Sequence, residues 1–264
     1  MPGKKKILVD VGLNDMPFPM KVASRSNPDG QPTVGSISIK ARIIHEYEAN
    51  WIDKFIQIIH LHRDKIGTKH LKSNINDYME KIGASTATID YAYPYFIEKL
   101  TPASNEKCLM RYKCTYSAKM RASESSPKII FRVEVPAITT DPSSNPDRNG
   151  GLFGQLSLVT LEIESRGNVF AEDLVDIVDR HALSPVYSFL TPEDKQHIIE
   201  KSHTDSQSSV QMTGEIQNEL SRITDIDWFS VNCRNFSLLH SYSTLVATEK
   251  SILVPSSCYD FEEV

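Results

Sequence analysis

The order in which strand-like and helix-like patterns follow one another constrains the fold of this chain more than any single motif. Segment 33–45 alternates small or apolar residues with polar ones and is rich in β-branched residues, which predicts a long strand. Two segments with helical spacing follow, and then two more strand patterns around a turn-prone stretch. We predict helices over 51–61 and 71–82, the second ended by Gly83, strands at 86–97 and 107–119, and a turn at 101–105.

The second half of the chain repeats this order. Its strand patterns lie at 128–136, 155–164, 226–234 and 238–248, and its helical patterns at 171–182 and about 210–222. Two strand-strand-helix-helix-strand-strand units predict an α+β architecture, in which residues 1–125 and 126–264 each form an antiparallel sheet with paired helices on one face. Segments 137–154 and 184–209 are predicted loops, and functional sites tend to lie in loops of such length.

Charge and cysteine usage argue against several classes of function. The 29 basic and 34 acidic side chains give a formal charge of −5, which is unfavourable for a dedicated nucleic-acid binder. No apolar run has the length of a signal-peptide core or a membrane span, so we expect a soluble, cytoplasmic protein without a membrane partner. The four cysteines lack metal-site spacing and are expected to be reduced thiols.

An ordered set of short motifs runs over nearly the whole chain. It comprises Asp10-Val11-Gly12-Leu13, Tyr93-Pro94-Tyr95-Phe96, Val135-Pro136, Glu200-Lys201, and Asn235-Phe236 ahead of His240. In this order the motifs resemble the GTP cyclohydrolase IB family. The resemblance implies tandem tunnelling folds whose sheets close into a barrel by oligomerisation, as a homodimer or homotetramer with active sites where subunits meet. It also implies a metal-dependent ring opening and reclosure of GTP, which yields 7,8-dihydroneopterin triphosphate.

Several positions depart from the pattern of that family. The family has a Cys-Pro-Cys whose first cysteine is a metal ligand, and the equivalent stretch here is Asp141-Pro142-Ser143. Where the family has a histidine and an arginine, this chain has Phe153 and Leu156. Glu48 lies in the segment where the family carries a lysine. These differences predict an altered metal site and a weakened site for a triphosphate.

Other positions keep the residue types that the family uses. The resemblance implies that Glu200, next to Lys201, grips the N–H and amino edge of a purine or pterin ring through charge-assisted hydrogen bonds. It implies that His240 is a metal ligand, and that either Glu193 or Asp194 of the Pro192–Lys195 segment is another.

A metal site of two carboxylates and one histidine is one interpretation of these positions. Asp141, His240 and either Asp194 or Glu193 would suit Mn²⁺, Fe²⁺ or Mg²⁺ better than the zinc that a thiolate favours. Because the family resemblance implies a metal-dependent reaction, the candidate cofactors are Mn, Fe or Zn, and the alternative is no cofactor. In the alternative interpretation, Asp141 starts a turn, Asp194 caps a helix, His240 is a hydrogen-bonded strand residue, and Glu200 is a solvated surface carboxylate.

Three functions therefore stay open at this point. The first is a cyclohydrolase-like hydrolase or lyase that binds a purine- or pterin-like heterocycle other than GTP through Glu200, with Asp141, His240 and His203 as catalytic residues. The second is an active GTP cyclohydrolase with unusual metal ligands. The third is a non-catalytic oligomeric binding protein, favoured by the joint loss of the family's cysteine, histidine and arginine positions.

Overall fold

A single antiparallel sheet organises the molecule. The computed structural model describes residues 7–45, 51–64, 66–147 and 150–250. Nine strands lie in this part of the chain, and their hydrogen-bonded order is β1-β2-β3-β4-β5-β6-β8-β9, with the two-residue β7 paired to β5. The strands are β1 Ile7–Val22, β2 Gln31–His45, β3 Ala84–Leu100, β4 Lys107–Arg121, β5 Lys128–Thr140, β6 Gly154–Ser165, β7 Ser184–Pro185, β8 Ile226–Phe236 and β9 Ser243–Glu249.

Five helices lie in the described part of the chain, and all but the fourth cover one face of the sheet. They are α1 Trp51–His62, α2 Thr68–Ile82, α3 Ala171–His181, α4 Pro192–Thr204 and α5 Ser209–Ser221. Apolar residues of α1, α2, α3 and α5 share one core with alternate residues of the strands. The predicted pairing of two helices with each half of the sheet is therefore confirmed, with α1 and α2 on the first half and α3 and α5 on the second.

The alternation of side chains decides which face the helices cover. On β3, Ile89, Tyr91, Tyr93 and Tyr95 are buried under the helices, while the residues between them are only partly buried on the opposite face. We call this opposite side the helix-free face. Along β2 to β6 most side chains on this face are partly or fully exposed, and many of them are polar or charged.

Several segments differ from the sequence-based prediction. Strand β1 was not predicted, since Pro17, Pro19 and a bulge between Leu13 and Met16 interrupt its alternation. The predicted loop at 184–209 contains helix α4, which was missed because Asp194 is its only buried residue and no apolar stripe marks it. Segment 137–154 is also shorter as a loop, because β5 continues to Thr140.

The proposed division of the chain at residue 125 falls in the turn between β4 and β5, and the sheet continues across it through the pairing of these two strands. The interpretation of the two halves as domains stays a prediction. Cys108, Cys114 and Cys233 are buried free thiols, as expected, and Cys258 lies outside the described residues. No described helix is long and apolar enough to cross a membrane.

The carboxylate of Glu172 joins the two halves. It lies in the first turn of α3 and is 4% exposed. One oxygen, Oε1, accepts hydrogen bonds from the Tyr95 hydroxyl at 2.6 Å, the Ser24 hydroxyl at 2.8 Å and the Arg25 backbone N–H at 3.0 Å. Burial by itself raises the pKa of Glu172, but these hydrogen bonds outweigh it and hold the pKa below its ordinary value.

We therefore expect Glu172→Gln to lower the free energy of unfolding at pH 7 by about 2–3 kcal/mol, because the buried donors lose a charged acceptor. A carboxyl with a depressed folded-state pKa stabilises above its unfolded pKa and loses that contribution as the pH falls through the folded-state pKa. The difference between wild type and variant should therefore shrink below the ordinary glutamate value of 4.5. Urea denaturation between pH 3 and 7 measures both effects.

Glu164→Gln is the matched control. Glu164 pairs with Lys128 at 3.5 Å on the surface of the sheet, and such pairs contribute about 0–1 kcal/mol. Equal losses of stability in the two variants would contradict the assigned role of Glu172.

Candidate active site at the end of the sheet

Asp141 lies directly after β5, at the end of the sheet where β6 begins and β8 ends. Its oxygen Oδ1 accepts hydrogen bonds from the backbone N–H and the hydroxyl of Ser143, an arrangement typical of an Asx turn. Its backbone N–H donates to the Phe153 carbonyl at 3.0 Å. The side chain is 1% exposed, and within the described residues its second oxygen, Oδ2, has no hydrogen-bond partner.

His240 lies near this carboxylate, in the turn that joins β8 to β9. The sequence predicted a strand over 238–248, but β9 begins only at Ser243, and His240 is therefore an exposed turn residue stacked on Tyr242 with ring centroids 4.9 Å apart. Burial raises the pKa of Asp141. Ser143 through its hydrogen bonds, the nearby Ser237 hydroxyl, and the His240 ring through its charge outweigh burial, so the pKa lies below its ordinary value. The structure thus brings together Asp141 and His240, 99 positions apart in the sequence.

A buried polar network supports this end of the sheet. The Ser157 hydroxyl on β6 lies 2.7 Å from the Thr139 hydroxyl on β5 and donates to the Asn235 side chain on β8 at 2.7 Å. Asn235 in turn donates to the Ser209 hydroxyl at the start of α5 at 3.0 Å. Sequence analysis missed this network. Its signal is that Ser157 lies in line with the apolar, inward-facing Val159 on β6, and Asn235 in line with Val231 on β8.

Helix α4 passes beside the same site. The His203 Nδ1–H donates to the Leu152 carbonyl at 2.6 Å, next to the residue that binds the Asp141 backbone, which leaves the Nε2 atom of His203 for other partners. Glu200 lies one turn earlier on the exposed side of α4 and accepts a hydrogen bond from Gln196 at 2.7 Å. Lys201 is half-buried at the next position.

An apolar cavity of about 270 Å³ lies between α4 and the segment that precedes it. Val186, Tyr187 and Leu190 form one wall, and Lys195, Ile198 and Ile199 of α4 form the other. Glu200 directly follows Ile199 on α4, and its side chain is exposed. A flat heterocycle suits an apolar cavity with a few polar groups at its rim.

Asp194 has a structural role. Its carboxylate accepts hydrogen bonds from the backbone N–H groups of Ala103, Ser104 and Thr191 and from the hydroxyls of Ser104 and Thr191, which closes a capping box at the start of α4. Burial by itself raises the pKa of Asp194, but these hydrogen bonds outweigh burial and lower the pKa strongly. The expected assignment of Asp194 as a metal ligand is not supported, because its oxygens are taken up by these donors.

Glu193, the other candidate of this pair, is exposed in the first turn of α4. Among the described residues, no group of three or more His, Cys, Asp or Glu side chains is arranged to hold a metal ion. Within the described residues of a single chain, Asp141 and His240 are therefore the two predicted ligands that lie near each other.

A protein-family model for the type I GTP cyclohydrolase folE2 matches residues 3–246 of this chain. The chain belongs to this family. A GTP cyclohydrolase FolE2 from Geotalea uraniireducens is 32% identical over 240 residues, which cover 91% of this chain and 87% of that protein. The protein of the same name from Geobacter sp. strain M21 is 30% identical over 241 residues, which cover 91% and 89%.

Solved structures confirm the fold class of this FolE2-family chain. Uricase from Arthrobacter globiformis superposes with a TM-score of 0.53 at 8% identity, covering 92% of this chain and 93% of its own. A hyperthermostable mutant of Bacillus sp. TB-90 urate oxidase gives 0.56 at 9% identity, covering 95% and 97%. The antiparallel sheet with few helices is thus of the tunnelling-fold type, while its closure into a barrel by oligomerisation stays a prediction.

Membership of the FolE2 family also bears on the three functions left open by the sequence. Both relatives are named as GTP cyclohydrolases, and neither name gives another substrate. Of the replaced positions, Leu156 is an exposed residue of β6 and Phe153 accepts the Asp141 N–H through its carbonyl, whereas Glu48 lies outside the described residues.

Proposed function

We propose that this chain is a GTP cyclohydrolase that opens the guanine ring of GTP hydrolytically, at a metal-dependent site built around Asp141 and His240. The buried Oδ2 atom of Asp141 carries the proposal, because an ionised carboxylate oxygen is costly to leave without a partner inside a protein. A cation would account for such an atom, which lies near His240 in a member of the GTP cyclohydrolase family.

The donor atoms at this end of the sheet fit a divalent metal. A carboxylate oxygen and an imidazole nitrogen suit Mn²⁺, Fe²⁺ or Zn²⁺, and the lowered pKa keeps Asp141 ionised at neutral pH. A bound ion would supply Lewis-acid activation of water or of a ring carbonyl. One chain provides two of the donors, and we propose that a second copy of the chain completes the set.

The other residues of the site bind and orient the heterocycle. The Glu200 carboxylate accepts hydrogen bonds from the N–H and amino edge of guanine, and the apolar wall formed by Tyr187, Ile198 and Ile199 excludes water from the ring. Lys201 assists binding beside Glu200. The Nε2 atom of His203 exchanges a proton with the opening ring, since Nδ1 is fixed on the Leu152 carbonyl.

Four variants separate these roles. We expect Asp141→Asn and His240→Ala to lose bound metal and to lower GTP turnover by about 10²-fold or more, beyond the 10–100-fold typical of residues around metal ligands. Glu200→Gln should retain metal and raise KM for GTP, whereas His203→Gln should retain metal and lower kcat. Metal analysis of protein purified without chelator, paired with formation of the ultraviolet-absorbing or fluorescent pterin product, measures both properties.

His197→Gln is the control for the histidine substitutions, because His197 is exposed on the same helix and belongs to no part of the proposed site. A wild-type protein that binds no metal and turns over no GTP would contradict the proposal. It would leave the non-catalytic binding protein as the function to test.

We further propose that the chain acts as a homodimer or homotetramer in the cytoplasm, where the buried free thiols stay reduced. Within the described residues, β1 and β9 are the edge strands of the sheet and pair with no further strand on their outer sides. An apolar surface beside His240 is also exposed, with Leu238 at 79% and Leu245 at 63%. Its other members are Leu156, Phe236, Leu239 and Tyr242.

Sedimentation equilibrium tests this assembly. We expect a dimer or tetramer, and we expect Leu238→Glu to shift it towards smaller species because a charge enters an apolar contact. Val210→Glu, at an equally exposed position of α5, is the control. A wild-type monomer at micromolar concentration would contradict completion of the site by a second copy.

A further inference from the structure

Basic side chains converge on the helix-free face at the opposite end of the sheet. In the strand register, Arg42 of β2 pairs with Thr86 of β3, and Thr86 pairs with Arg121 of β4. One step along the same face, Thr88 of β3 lies between Lys40 and Lys119 in the same way. We call these six residues the basic cluster. Each of its two threonines on β3 lies between a cationic residue of β2 and a cationic residue of β4.

Carboxylates neutralise only part of the positive charge of this cluster. Arg42 is held by Asp10 through a two-point contact of 2.8 Å and 3.0 Å, and Arg121 lies 3.7 Å from Glu124. Within the described residues, Lys40 and Lys119 form no ion pair. Elsewhere on the same face the cations do find carboxylates, as in the pair of Lys113 with Glu134 at 2.9 Å. Two arginines are thus held in place while two lysines are available to a ligand.

The cluster encloses a cavity of about 260 Å³, lined by these six residues and Asp10. Ligand pockets for drug-sized molecules measure about 300–1,000 Å³, so this cavity suits a small ion better than a whole nucleotide. The hydroxyls of Thr86 and Thr88 at its floor form no hydrogen bond with another described residue. They can therefore donate to an anion between the cationic side chains.

We propose that the basic cluster is a binding site for an oligophosphate anion. The cations on β2 and β4 are separated by two interstrand spacings, about 9.6 Å at the backbone. An extended chain of phosphate groups reaches both strands at once, whereas a single phosphate contacts fewer of the cations. Affinity therefore increases with chain length, from orthophosphate through pyrophosphate to tripolyphosphate.

The cluster is distant from Asp141 of the same chain. Lys119 pairs with Lys128 at the start of β5, and Asp141 follows the other end of that strand. Thirteen steps of about 3.3 Å separate Lys128 from Asp141, which places the two sites about 40 Å apart. The anion is therefore either the triphosphate tail of a nucleotide bound to another copy of the chain or a separate oligophosphate molecule.

Calorimetric titration with inorganic tripolyphosphate at constant ionic strength tests the site without relying on catalysis. We expect Lys40→Gln combined with Lys119→Gln to weaken tripolyphosphate binding by at least about tenfold. Thr88→Val, which keeps the branched shape and removes the hydroxyl, should weaken binding severalfold. Tripolyphosphate should also bind more tightly than orthophosphate to the wild type.

Lys107→Gln combined with Lys113→Gln is the matched control, because it removes the same charge from the same face of β4 outside the cavity. Circular dichroism and melting curves verify that the variants fold. Equal binding to the two double variants, or no binding to the wild type, would overturn the proposal. Both results are independent of GTP turnover.

Kinetics with GTP then distinguish the two sources of the anion. If the site takes the tail of the substrate, tripolyphosphate competes with GTP, and the double variant of Lys40 and Lys119 raises KM. If the ligand is a separate molecule, tripolyphosphate binds together with GTP, and KM in its absence equals that of the wild type.

Discussion

When helices cover only one face of a sheet, the side chains of the other face must be stabilised by solvent, by ion pairs or by another molecule. Here alternate residues of β2 to β6 lie under α1, α2, α3 and α5, and the residues between them point away from the helices. Ion pairs such as Arg132 with Glu162 meet part of this requirement. The uncompensated lysines of the basic cluster and the open edges of β1 and β9 leave the rest to ligands or to a second copy of the chain.

The first and second parts of the sheet share one core. The halves are joined by buried polar contacts, with Glu172 binding Tyr95 and Ser24, and Asp179 of α3 paired with Lys99 of β3. In the second half, the network of Thr139, Ser157 and Asn235 fixes three strand ends and so positions the turn residues that hold Asp141. A rigid strand end supports a site better than a free loop does.

Much of this arrangement was predictable from periodicity, because β2 to β6, α2, α3 and α5 combine clear patterns with clear ends such as Gly83, which has φ of 66°. Helix α4 lacked an apolar stripe, although the capping residues Thr191 and Asp194 were a local signal for its start. The proximity of Asp141 and His240 was expected from the family resemblance alone. Strand pairing between distant residues and the five donors around Asp194 are not visible in local sequence patterns.

The central claim is that the metal site uses oxygen and nitrogen ligands from Asp141 and His240 in place of a thiolate. X-ray absorption spectroscopy of the metal in the purified protein tests it most directly. The account predicts a first shell of oxygen and nitrogen at about 2.0–2.2 Å, with scattering from an imidazole that disappears in His240→Ala. A sulfur ligand at about 2.3 Å would contradict it, because the metal would then be held by a thiolate.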